Sequence, residues 1–105
     1  MATEETPIMN LLASMTASSI ETTRLEPDTL MLVRIAALVA VDAPPASYLL
    51  NLGAAGEMGV DSDQVQDVLA AVAPIVGTTR VVSAAGKLVR AYGLAVGLAD
   101  SSADD

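Results

Sequence analysis

The chain has 105 residues, 52% of them hydrophobic, and a formal net charge of −8 from 13 acidic and 5 basic side chains. That length is one domain, and the acidic balance excludes nucleic acid and anionic membranes as expected partners, since both need clustered Lys and Arg. Cys and His are absent, so thiolate, imidazole and disulfide chemistry are excluded and a transition-metal site is not expected.

Phe and Trp are absent too, and Tyr48 and Tyr92 are the only aromatic residues. Ala, Val and Leu carry the apolar load, a composition that suits close helix packing. A body this small buries only about two-thirds of its unfolded surface alone. So much apolar content therefore predicts burial against further copies, as a homo-oligomer. The charge fits a role in keeping such an assembly soluble.

Met1 to Thr6 is acidic and predicted to be a flexible end, without the basic start of a secretory signal; a cytoplasmic location is expected. Pro7 suits the first turn of a helix, where its missing N–H costs nothing. Ile8, Leu11, Leu12 and Met15 follow at helical spacing, and this helix is expected to fade near Ser18 or Ser19. Ile20 to Glu26 reads as a polar connection.

Pro27 opens the second helix, with Glu26 and Asp28 at its positive dipole end. Leu30 to Val41 is apolar almost all round, as in a helix buried on several faces. The apolar run is too short to cross a membrane, which takes about 20 residues, and Arg34 interrupts it. Asp42-Ala43-Pro44-Pro45 ends it, because the residue before a proline is pushed out of the α region. A third helix is expected from about Ala46 to Met58, and its small residues Gly53, Ala54, Ala55 and Gly56 predict a close crossing.

Gly59 is the expected left-handed stop. Asp61 and Gln64 then form a capping box for a fourth helix that carries Val65, Val68, Leu69 and Val72 on one face. That helix is expected to stop between Pro74 and Gly77. Thr78 is the expected cap of a fifth helix reaching Leu94 to Leu98, where Gly86 and Gly93 point to tight packing. No strand is predicted. The reading is all-α, with about five helices in a single domain over 7–98 and an acidic disordered tail over 99–105.

Two segments carry a family resemblance: Leu25-Glu26-Pro27-Asp28-Thr29-Leu30-Met31-Leu32, and the run from Tyr48 through Asn51, Gly53 and Gly56 to Gly59-Val60, followed by a capped helix and Gly77. Together they resemble the carboxymuconolactone decarboxylase family, which includes the alkylhydroperoxidase D-like proteins. The resemblance runs from Leu25 to Leu98. It rests on helix lengths, prolines and glycines rather than on a catalytic signature.

The resemblance implies an all-α subunit that assembles as a trimer or hexamer. In the peroxidase branch of that family a Cys-x-x-Cys pair opens the central helix, with a His one turn later and a Glu on the preceding helix. In the Gly59 register the cysteine positions hold Pro44 and Ser47, and the His position, shared with the decarboxylase branch, holds Asn51. The Glu position falls near Met31. None of these reactive groups is present, so neither activity carries over.

What remains for binding is a predicted pocket near Met31, Arg34, Ser47, Tyr48 and Asn51. Ser47, Tyr48 and Asn51 share one helix face at spacings of three and four. They either line a pocket or, more plainly, pack and bond local backbone. Arg34 either pairs with a carboxylate (Asp42, Glu57 or one from another subunit) or anchors a small carboxylated ligand. Arg80, Lys87 and Arg90 read as a solvated basic stripe. No catalytic residue, metal or cofactor is assigned. The expected function is a non-enzymatic oligomeric assembly or small-ligand-binding protein. An enzyme of redirected chemistry, such as decarboxylation or isomerisation of a small carboxylated substrate, is one alternative, and a helical protein–protein adaptor is another.

Overall fold

The computed structural model describes the backbone of residues 6–104 and the side chains of residues 6–93. Among them the chain forms five helices and no strand: α1 Pro7–Thr22, α2 Pro27–Ala40, α3 Pro45–Glu57, α4 Ser62–Val76 and α5 Thr78–Asp104. The all-α expectation is met. Prolines open α1, α2 and α3, where the ring pre-sets φ and no helical N–H is lost.

The core forms where α2 lies against α3, α4 and α5, with α3 and α4 each packing on α5 as well. Met31, Ile35 and Val39 supply the inner face of α2 at intervals of four. They meet Tyr48 and Ala55 of α3, Val65 and Leu69 of α4, and Ala84 and Leu88 of α5. All are small or medium in volume except Tyr48, as the composition required. No helix among the described residues is long and apolar enough to cross a membrane.

The turns between core helices are set by local chemistry. At the end of α3, Val60 N–H donates to Ala55 and Gly59 N–H to Gly56, with Gly59 at φ 88°. This is the 6→1, 5→2 pattern of a Schellman stop, and buried Val60 and Ala55 make its apolar closure. Asp61 then accepts from Gln64 N–H at 2.9 Å, and Gln64 Oε1 accepts from Asp61 N–H at 3.1 Å. The predicted capping box is in place.

Several boundaries and packing expectations are corrected. α1 runs past Ser19 to Thr22, because the stop comes only where Thr23 turns extended and its Oγ1 accepts Leu25 N–H. Thr78 is the first residue of α5 rather than its cap: Gly77, at φ 89°, ψ 164°, both ends α4 and accepts the first α5 bond from Val81 N–H. The backbone of α5 is helical to Asp104, which includes residues 99–104 of the expected tail. Asp105 and residues 1–5, expected to be a flexible end, lie outside the described residues. The glycines of α3 and α5 mark no close crossing within the subunit, since a Cβ at Gly53, Gly56, Gly86 or Gly93 would meet nothing within 4 Å.

The main departure is α1. Among the described residues it contributes no buried residue and packs against none of the other helices. Ile8, Met9, Leu11, Leu12, Met15 and Ile20 are between 45% and 69% exposed. The one hydrogen bond from α1 to the body among the described residues runs from Arg34 to Ser19 Oγ at 2.9 Å. Ser19 shares the helix face of Ile8, Leu12 and Met15, four residues beyond the last of them.

Candidate functional site: an uncharged groove and an overhanging helix

The five residues predicted to form a pocket are placed differently from one another. Met31 and Tyr48 are core residues, 1% and 0% exposed, while Arg34, Ser47 and Asn51 are half-buried. Asn51 Nδ2 donates to the Ser47 carbonyl at 2.8 Å, one turn back in the same helix. Arg34 reaches Ser19 and not Asp42 or Glu57; among the described residues no carboxylate pairs with it. None of the five lines the principal cavities.

Tyr48 has a feature that sequence alone does not show. Its hydroxyl is buried without a hydrogen-bond partner. Burial first, and the negative charge of Asp42 second, push its ionisation above the ordinary tyrosine value, so the group stays neutral. A buried unsatisfied hydroxyl costs about 1–3 kcal/mol. Tyr48→Phe keeps the ring and is expected to raise stability by about 1 kcal/mol, read as an increase in Tm of about 4–8 °C. A lower Tm would mean that the hydroxyl has a partner.

Arg80 and Arg90 are exposed, as in a solvated stripe, but Arg80 and Lys87 also make bonds to the body. Arg80 Nη1 donates to the Ala40 carbonyl, and Lys87 Nζ donates to the Ala43 carbonyl at 2.6 Å and to Asp42 Oδ1 at 2.9 Å. Ser83 Oγ donates to the same carboxylate oxygen at 2.7 Å. Two of the three cations thus close the negative end of α2. Asp42 itself stands at φ 52°, the left-handed residue of a second Schellman stop, with Ala43 N–H to Leu38 and Asp42 N–H to Val39. Glycine is usual there. Aspartate tolerates the conformation better than most residues, and its carboxylate ties the α2–α3 loop to α5.

The Lys87 and Ser83 bonds lower the Asp42 pKa below its ordinary 3.8, against an opposing effect of burial. A depressed carboxyl binds protons less readily folded than unfolded. Its contribution is therefore complete above pH 3.8 and is lost as pH falls through the lower folded value. Urea midpoints measured from pH 6 downward should show this loss in the wild type, and a shallower acid limb in Asp42→Asn. Parallel limbs would contradict it.

A cavity lies between α4 and α5. It is an open groove of about 680 Å³ lined by Ser62, Val65, Gln66, Leu69, Ala85, Leu88, Val89 and Tyr92. None of these carries a formal charge. Val65, Leu69 and Leu88 form its floor and Val89 its exposed wall. Burial chiefly, and then the Asp61 charge, raise the Tyr92 pKa, so its hydroxyl stays neutral. Two shallower hollows, about 140 and 260 Å³, flank Lys87 and Arg90.

Sequence reasoning missed the groove. Val65 and Leu69 were legible as one face of α4, but the opposing 85/88/89/92 face of α5 becomes its partner only through the hinge at Gly77. Chemically, the groove can hold apolar groups and offer hydroxyl and amide contacts at its edge. It presents neither a nucleophile with an activating base nor a cluster of charged side chains. Compared with protein-family models, curated proteins and solved structures, the chain shows no significant match to any.

Proposed function

We propose that this chain is a non-enzymatic helical subunit that assembles with further copies of itself. The observation that carries the reading is the exposed apolar face of α1, held beside the core by the Arg34–Ser19 hydrogen bond and left uncovered by the described residues. An isolated helix of this length is marginal in water, so α1 gains its stability by covering that face. Exposed Leu50, Val41, Ile75 and Val89 add apolar surface on the body. A carboxymuconolactone decarboxylase-like architecture, as a trimer or hexamer, belongs to the same proposal. Its support is the order of proline starts and glycine stops along α2 to α5.

Folding coupled to assembly ties stability to protein concentration. The urea midpoint should rise as the concentration is raised a hundredfold, and a concentration-independent midpoint would contradict the proposal.

A second reading concerns Arg34. Its guanidinium has only a neutral hydroxyl as partner among the described residues, which favours a small carboxylated ligand between α1 and α2. Binding of such an acid that is lost in Arg34→Gln, with the fold unchanged, is the expected result. Equal binding by both proteins would remove this reading.

A further inference from the structure

Three helix faces in this chain share one spacing. On α4 the groove-lining residues are Ser62, Val65, Gln66 and Leu69; on α5 they are Ala85, Leu88, Val89 and Tyr92. The overhanging face of α1 is Ile8, Leu11, Leu12 and Met15. Each steps by three, one and three residues, which covers two turns and about 10 Å of helix axis. A helix with such a stripe is the usual occupant of an apolar groove between two others.

The charge pattern selects the same pair of surfaces. Two copies at −8 repel wherever their charged faces approach. From Pro7 to Ile20, α1 carries no charged residue, and neither does the lining of the groove. Neither the apolar stripe nor the groove lining has an ion of its own to desolvate. Joining them covers the apolar side chains of both at once.

We infer that the α1 of one copy seats in the α4–α5 groove of the next, with Leu12 and Met15 as its central anchors. This rests on the assembly reading above and specifies its interface. The contact is heterologous, a helix from one subunit against a groove of another, so repetition generates a ring where the rotation closes. Each copy then buries two surfaces, a helix and a groove, and a stable interface needs about 800 Å² per partner. The Arg34–Ser19 bond positions α1 for this exchange by fixing its last turn on the body.

A mixing experiment tests the inference on the full chain. One variant carries Leu12→Asp and Met15→Asp; the other carries Gln66→Asp and Val89→Asp. All four positions are exposed, so both variants should keep the wild-type circular dichroism. Each alone is expected to be monomeric, because each lacks one half of the contact. Their mixture should form a 1:1 dimer and stop there, since only one intact helix and one intact groove remain. Because the chain has no cysteine, Leu12→Cys in one copy and Val89→Cys in another should give a disulfide only between different copies.

A groove variant that assembles like wild type, with no rescue on mixing, would mean α1 pairs with α1 and would overturn the inference while leaving self-assembly intact. Crosslinking within a single chain that carries both cysteines, at high dilution, would place α1 in its own groove and also overturn it. A monomeric wild type would remove the assembly reading itself.

Discussion

Leu12→Asp with Met15→Asp is expected to abolish self-association and leave the subunit folded. Both side chains are about half exposed in the single copy, so the fold loses no core contact. Full burial of a Leu or Met contributes about 1.5–3 kcal/mol, and association buries only the exposed half of each. Removing two therefore loses about 1.5–3 kcal/mol, which at 1.4 kcal/mol per tenfold weakens association by about ten- to a hundredfold. Carboxylates in an apolar groove add a desolvation cost in the same direction. Sedimentation velocity across a range of concentrations reads the effect. An unchanged distribution would show that α1 is not the contact. Because net charge opposes the approach of two copies, added salt should strengthen wild-type assembly by screening it. An assembly held by ion pairs would weaken instead.

The second large effect lies at Gly77, and a matched substitution at Gly86 separates its cause from side-chain volume. Gly77 stands at φ 89°, ψ 164°, a region that residues with a Cβ enter at a cost of order 1–3 kcal/mol. Space is not the limit, since an added Cβ would meet nothing within 4 Å at either position. Gly77→Ala should therefore lower Tm by roughly 4–8 °C for each kcal/mol lost. It should also disturb the angle between α4 and α5, because the chain turns there without a loop. Gly86 lies inside α5, where alanine is favoured by about 0.8–1.0 kcal/mol. Gly86→Ala is expected to raise Tm. Equal effects of one sign at both sites would refute the backbone explanation.

How much of this was legible in the sequence depended on the range of the interaction. Pro27 and Pro45 mark helix starts by removing a donor that needs no partner there, and Asp61 with Gln64 satisfies two donors within four residues. Gly59 could be read as a left-handed stop for the same reason: the constraint is local. The end of α1 was harder, because Ser18, Ser19 and Thr22 are weak helix formers that nonetheless stay helical until Thr23 turns extended.

The site depended on interactions distant in sequence. Asp42 could be seen to end a helix. That it would take the left-handed position, held by Ser83 and Lys87 from α5, follows from α5 lying across the α2–α3 loop. The same contacts turn Arg80 and Lys87 from a surface stripe into a helix closure. Arg34 looked like a charge in need of an ion pair within an apolar helix, yet it is half-buried and bonds Ser19. Helical periodicity does not fix which neighbour covers each face, and for α1 no neighbour among the described residues does.

Native mass spectrometry of the 105-residue chain reads the assembly itself. A closed species at a multiple of 10.7 kDa, a trimer or a hexamer, is expected, and it should dissociate when Leu12 and Met15 are both aspartate. A species of 10.7 kDa alone, at concentrations where the folded state is fully populated, would contradict this expectation.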